Sequence, residues 1–268
     1  MYVPDVGGPA PRGSEVTAWR PAVPGVAEVF HARFVDHAYP AHTHDAWTLL
    51  IIDDGAVRYD LDRHAHGALR SHVTLLPPHV PHDGRAATAD GFRKRVLYLD
   101  ADWLPASAID ATARNPALAD PRALRIVFDV HDALRLPGDA MAAEGGVLAL
   151  ADIVRERLGA PIRTARDTPL ARRLRALLDD RLAESFTIAE AARILGAHPS
   201  HLVRAFSQAY GIAPHRYLTG RRIDRARRLL LAGVSPADTA AAVGFHDQAH
   251  LTRHFRRTLG TTPGAFAA

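Results

Sequence analysis

The sequence predicts an α+β protein of two domains: an N-terminal antiparallel β-barrel or sandwich with accompanying helices, and a C-terminal all-α domain of two helix-turn-helix units. Three observations carry that prediction. Apolar and polar residues alternate with period two through the first hundred residues. The hexamer HLVRAF at 201–206 returns as HLTRHF at 250–255. The positive charge of the chain collects around that repeat.

Composition sets the limits. A chain of 268 residues with 47% apolar and 23% charged residues is ordinary for a soluble globular protein and long for one domain. It contains no cysteine, which excludes disulfide scaffolds, cysteine-ligated zinc and thiol nucleophiles. The start, MYVPDVGGPAPRGSEVTAWRPAVPG, has neither a basic leader nor an apolar run, and no later stretch is long and apolar enough to cross a membrane. Residues 1–26 therefore read as a mobile Pro/Gly tail on a cytoplasmic protein without a membrane partner. The net charge of +4 is unevenly placed: residues 161–268 hold 17 Arg against 8 acidic residues, so the excess lies behind an acidic first half. A basic, helical, duplicated domain suggests a polyanion as partner.

In the first half, HTHDAWTLLIIDDGAVRYDLD, HVTLLPPHVPHDG and GFRKRVLYLD alternate as strands and are separated by DDG, HAHG and PP turn signals. Short strands at close spacing indicate a small antiparallel barrel or sandwich. After them, PRALRIVFDVHDALRLPG and DAMAAEGGVLALADIVRERLG read as two amphipathic helices broken at Pro137 and Gly138. Their apolar stripes, Ile126, Val130 and Leu134 on one and Leu148, Ile153 and Leu158 on the other, either pack on the barrel or pair with a second subunit. The homodimer is favoured because a bare stripe would otherwise be exposed. The domains are thus placed at 27–158 for the barrel with its dimerisation helices and 170–268 for the duplicated helical domain, with 159–169 as linker.

The second half reads as helices. Thr187 with Glu190 three residues on forms a capping box, and that short helix stops at Gly196. SHLVRAFSQAYG follows, with Leu202 and Phe206 as its buried stripe and Arg204 on the other side. The second copy begins at Ser235 and Pro236, turns at Gly244 and continues as DQAHLTRHFRRTLG. Two short helices around a glycine turn, twice, is a repeated helix-turn-helix. Ala191, Ala192, Ala241 and Ala242 are the small residues expected where the paired helices touch. Between the copies a helix from Pro214 to Leu231 carries Ile223, Ala226 and Leu230 on one stripe and Arg221 and Arg222 elsewhere. It spans about 27 Å and could set two reading helices about 34 Å apart, one turn of B-DNA. Ser200, Arg204, Gln248, Thr252 and Arg253 fall on the exposed faces, where Arg suits guanine and Gln suits adenine.

The stretch from Thr187 to Phe266, including RRIDRARRLLLAG and GFHDQAHLTRHFRRTLGTTPGAF, resembles the DNA-binding domain of the AraC/XylS family of bacterial transcription regulators. The resemblance implies binding to asymmetric double-stranded DNA sites near promoters, usually with activation through contact with RNA polymerase. It also implies base-reading positions at Ser200, Val203 and Arg204 in the first reading helix and at Gln248, Ala249, Thr252 and Arg253 in the second. Across about residues 27–102, HTH, the glycine at Gly55 and PPHVPH resemble the cupin-like sensor barrel of many such regulators. Metal cupins use His-x-His, a Glu and a final His. His42, His44 and His82 take three of those places, but the carboxylate position falls on Thr48 or Leu49. No metal cofactor is therefore expected, and if any metal were held it would be by those three histidines. The barrel is read instead as the pocket for a small-molecule effector, lined by His42, His44, Thr48, Tyr59, His82, Arg95 and Tyr98. Two functions compete. The first is a ligand-responsive regulator, an activator rather than an enzyme; the alternative is a metal-dependent cupin enzyme, an oxygenase or isomerase, with a DNA-binding tail. The missing carboxylate and the complete second helix-turn-helix favour the first.

Overall fold

The computed structural model describes residues 14–35, 37–159 and 168–267, in two compact units that divide at Val127 and Phe128. The expected linker at 159–169 falls mostly outside the described residues. The span expected as a tail contains a strand, and the residues from 128 to 158, expected with the barrel, belong to the second unit.

The first unit runs β1 (Glu15–Trp19), β2 (Val26–Phe34), β3 (Ala38–His42), β4 (Trp47–Gly55), β5 (Val57–Leu61), β6 (His64–Ala68), β7 (Val73–Leu76), β8 (His82–Ala86) and β9 (Phe92–Leu99). A short 3-10 turn, helix α1 (Ile109–Arg114), strand β10 (Ala117–Leu118) and helix α2 (Pro121–Leu134) follow, α2 crossing the boundary. Every pairing is antiparallel, in one sheet of order β1-β2-β9-β4-β7-β10 and another of order β3-β8-β5-β6. Period-two alternation decides which side chains meet. Phe34, Leu50, Ile52, Phe92 and Val96 from the first sheet share one core with Val57, Tyr59 and Leu61 from the second. The intervening residues Leu49, Ile51, Leu97 and Leu99 are buried on the other face of the larger sheet. That is why β4 reads as a continuous apolar run: it is covered on both sides.

The second unit holds α3 (Ala140–Arg157), α4 (Thr168–Asp180), α5 (Ile188–Leu195), α6 (Pro199–Tyr210), α7 (Pro214–Leu231), α8 (Pro236–Val243), α9 (Gln248–Leu259) and α10 (Pro263–Ala267). It has two cores. Leu174, Leu178, Ile188, Ala192, Leu202, Phe206 and Leu218 form the first; Ile223, Ala226, Leu230, Ala240, Val243, Leu251 and Phe255 form the second. Helix α7 serves both, giving Leu218 to one and Ile223, Ala226 and Leu230 to the other. Helix α3 packs across α5, α6 and α7 and adds Met141 to the first core. Val147, Leu150, Ala151 and Val154 of this helix are buried, whereas the expected stripe residues Leu148, Ile153 and Leu158 are half-buried.

Candidate nucleic-acid interface and effector pocket

In the first helix-turn-helix, α5 begins at the capping box read from the sequence: the Thr187 side chain accepts from the Glu190 N–H at 3.1 Å and Glu190 accepts from the Thr187 N–H at 2.7 Å. The two N–H groups this leaves, those of Ile188 and Ala189, both donate to the carboxylate of Glu144, at 2.6 and 2.8 Å. All four orphan donors of the helix start are thereby satisfied, one pair by a residue more than forty positions upstream. Burial pushes the Glu144 carboxyl up, against the pull of those two amides. The second unit repeats the plan, with Ser235 capping α8 and Asp247 capping α9, where the His250 N–H donates at 2.6 Å.

The small residues at the second crossing differ from those expected. Ala241 and Ala242 are exposed, and Thr239 and Ala240 are the buried pair. The caps explain this: Thr187 matches Ser235 at an offset of 48 residues, so Ala191 and Ala192 correspond to Thr239 and Ala240. The turn at Gly244, with φ +85°, lies so close to Ala183 that a Cβ there would sit 2.6 Å from its carbonyl oxygen.

Gln248, Ala249, Thr252, Arg253 and Arg256 lie together on one face of α9, with Gln248, Ala249 and Arg256 exposed and Thr252 and Arg253 half-buried. On α6 the picture differs. Ser200, expected on the exposed face, is buried, because it sits in the first turn directly behind the tight turn, where its N–H is held by the cap His198. Val203 packs partly against the first core. Arg204 is half-buried, and its Nη1 donates to Asp152 of α3 at 3.2 Å. Arg253, at the matching place on α9, donates to Asp139, just ahead of α3, at 2.7 Å. Of the linker-helix arginines, Arg221 stays at the surface, paired with Asp179 at 2.9 Å. Arg222 does not: it is buried, and donates from Nε and Nη2 to the carbonyls of Leu182 and Glu184 at 2.8 and 2.7 Å. Its guanidinium, with its pKa pushed down to about 10 by burial, is engaged in holding a loop and is not displayed at the surface as expected.

Asp139 also accepts from Nε2 of His250 and of His254, each at 3.0 Å. Burial works to raise its pKa, but those hydrogen bonds and charges hold the carboxyl far below the usual range. An aspartate with two histidines one helical turn apart is a donor set known from zinc sites. It does not fit a metal as arranged, because His250 Nδ1 accepts from the His246 N–H at 3.1 Å. The proton of that ring must therefore be on Nε2, the atom a metal would need.

In the first unit, His42, His44 and His82 converge, with ring centroids 4.5 to 5.0 Å apart, and the His44 ring meets Tyr98 at 5.1 Å. Thr48 stands opposite Tyr98 in the β4–β9 register. The hydroxyls of Thr48, Tyr59 and Thr74 are buried; that of Thr48 makes no hydrogen bond among the described residues, and burial raises the Tyr59 pKa against the opposing influence of the Thr74 hydroxyl. Three buried hydroxyls and three histidines on one interior face are the furnishing of a polar ligand site. Arg95 is not part of it. Residue 95 is on the opposite face of β9 from Val96 and Tyr98, where it holds Asp53 at 2.6 Å. Its neighbour Lys94, the one lysine of the chain, takes the interior place, with its Nζ 4.0 Å from the centre of the Tyr39 ring and its pKa lowered to about 7 by burial. Period two separates the two positions once Tyr98 is placed in the pocket: position 94 shares its face and position 95 does not.

The three histidines would fit a metal. Nδ1 of His42 and of His82 face the carbonyls of Pro40 and Val80, at 2.7 and 3.1 Å, so each must donate there and leave its Nε2 lone pair free. His44 is held neutral, down to about 3, by burial and its histidine neighbours; His82, down to about 4, chiefly by burial. Both folded values lie below the ordinary one, so the folded unit binds fewer protons than the unfolded chain. Its stability should be complete above about pH 6.5 and be lost as pH falls toward about 4. Thermal unfolding across that range should show the loss, and His44→Gln should flatten it.

Comparison with known proteins gives two family matches, an AraC-like ligand binding domain over residues 24–151 and a helix-turn-helix domain over residues 191–268. Among curated proteins, an uncharacterised helix-turn-helix regulator of Bacillus subtilis, YbfI, is 40% identical over 74 residues, 28% of this chain and 27% of that protein. The virulence regulon transcriptional activator VirF of Yersinia enterocolitica is 33% identical over 92 residues, 34% of each chain. The arabinose operon regulatory protein of Escherichia coli is 36% identical over 93 residues, 34% of this chain and 32% of that one. The matched segments thus span about a third of these relatives or less. Among solved structures, the DNA-binding domain of the transcriptional factor AdpA in complex with a target DNA is 31% identical, covering 38% of this chain and 91% of that one, with a TM-score of 0.35.

Proposed function

The chain belongs to the AraC family of transcription regulators, and from that premise we propose that it is a ligand-responsive, sequence-specific DNA-binding regulator, an activator that meets RNA polymerase, whose effector is a small molecule held on the interior face of the first unit. The observation that carries the DNA-binding half is the pair of matched helices α6 and α9, each presenting an arginine at the same place of a duplicated hexamer within a domain rich in arginine. Relatives named as a transcriptional activator and as an operon regulatory protein support the direction. The proposed reading places the protein in the cytoplasm and, in action, as a homodimer. Among the described residues no helix is long and apolar enough to cross a membrane.

Sequence-independent affinity should come from arginine on phosphate and so depend on salt. Titration of the full chain against duplex DNA at 50 and 200 mM salt should show a loss of about a hundredfold, as four neutralised phosphates would give; an affinity that hardly moved would sink the proposal. In a reporter strain, His42→Ala and His82→Ala should each abolish the response to effector while the purified variants keep basal DNA binding. A second reading has one observation in its favour, the free Nε2 lone pairs of His42 and His82. Stoichiometric metal by elemental analysis together with turnover of a small substrate would move the balance to a metal-dependent cupin enzyme.

A further inference from the structure

We propose that helix α3 and the residue before it form a carboxylate-bearing strap on the DNA-reading surface, whose Asp139 and Asp152 must release Arg253 and Arg204 before both reading helices can engage a duplex. This rests on the regulator reading above and says how that surface is kept closed.

Three carboxylates of one short segment take three positions that a duplex would claim. Asp152 holds Arg204 of α6, Asp139 holds Arg253 of α9, and Glu144 lies on the first-turn amides of α5. Arginines at the matched sites of two reading helices are the groups that meet guanine or phosphate. A helix N-terminus with free amides is a phosphate seat, and the first helix of such a unit crosses the nucleic-acid backbone. The segment from Asp139 to Asp152 covers about 20 Å at the helical rise, enough to bridge one reading helix to the other. Each contact places a carboxylate on a guanidinium that would otherwise meet the DNA, taking part of its positive charge and one of its terminal nitrogens, so strap and duplex compete for the same group.

The local sequence supports this geometry. Asp139 precedes α3 but makes no capping bond to it, so its side chain is free for the α9 groups that surround it. Gly138, with φ +93°, lies against His250, where any side chain would collide with the imidazole. Asp152 is shared with Arg155 at 3.3 Å, and Nε of Arg204 is buried with no hydrogen-bond partner among the described residues, so that pair is the weaker of the two. The helix thus has a firm end at Asp139 and a looser one at Asp152.

The test uses the full chain with Asp139→Ala and Asp152→Ala combined, leaving Glu144 in place because it completes α5. A control, Glu184→Ala with Asp224→Ala, removes the same charge from exposed pairs. The strap variant should bind duplex DNA about tenfold more tightly than the control, within the range usual for coupled equilibria. In parallel, mass-spectrometric mapping of arginine modification by phenylglyoxal, without DNA, should find Arg204 and Arg253 protected in the wild type and labelled in the strap variant. Equal DNA affinity of strap variant and control overturns the proposal, and so does labelling that does not change. If no form binds DNA the regulator reading itself has failed, and the labelling still decides whether α3 covers the arginines.

Discussion

Phe206→Ala and Phe255→Ala should each destabilise the helical unit by about 3–5 kcal/mol, the range for emptying a buried aromatic site, and should do so in different places. Both rings are fully buried, Phe206 against Tyr210 and Tyr217 at 4.7 and 5.5 Å, Phe255 against Phe266 at 5.3 Å. They belong to separate cores. A loss of that size is a large part of the 5–15 kcal/mol that holds a domain together, so each variant should open its own helix-turn-helix well before the other. Hydrogen exchange of the full chain would show it: faster exchange in α5 and α6 for Phe206→Ala, in α8 and α9 for Phe255→Ala. Equal acceleration in both would mean that α7 couples the two cores into one cooperative block.

The duplication explains why this half of the fold was legible. Leu202 and Phe206, like Leu251 and Phe255, are four residues apart, and helical periodicity alone puts each pair on the buried side. Thr187, Ser235, Pro214 and the turn glycines mark ends by local chemistry, and α7 runs from Pro214 to Leu231 as the sequence predicts. The β half was legible as alternation, but not as a pairing. Which face of β9 enters the interior, that of Lys94, Val96 and Tyr98 or that of Arg95, Leu97 and Leu99, depends on the register of β9 against β2 and β4, and a shift of one residue exchanges them.

The site was legible where duplication speaks and silent where tertiary contacts decide. Arg204 and Arg253 could be picked out by their matched places. Arg222 could not be told from Arg221 on a helix carrying both, because what separates them is the pair of carbonyls at Leu182 and Glu184. Asp139, Glu144 and Asp152 escaped altogether. They sit beside and within an amphipathic helix that reads as an interface element, and an acidic residue on such a helix signals only solubility until the basic group opposite it is known.

Arg204→Ala and Arg253→Ala should relax base preference at different boxes of one asymmetric site, because their neighbours differ: Val203 beside one, Gln248 and Thr252 beside the other. A bidentate arginine on guanine contributes about 1–3 kcal/mol of discrimination, about fivefold to 150-fold. The loss in overall affinity should be smaller, because each arginine must first leave its aspartate and the variant is spared that step. The difference can be read directly. Arg253→Ala should weaken binding more when made in an Asp139→Ala chain than in the wild type, since only in the wild type does removing the arginine also remove the competition. Arg204→Ala should show the same coupling with Asp152→Ala, but less of it, as befits a 3.2 Å contact shared with Arg155 against one of 2.7 Å. Binding-site selection on the single variants and affinity measurements on the two cycles would decide the matter. If base preferences stay as they were while affinity falls alike on every sequence, HLVRAF and HLTRHF clamp the backbone and the bases are read elsewhere; if the cycles are additive, the aspartates and the duplex do not compete for the same guanidinium groups.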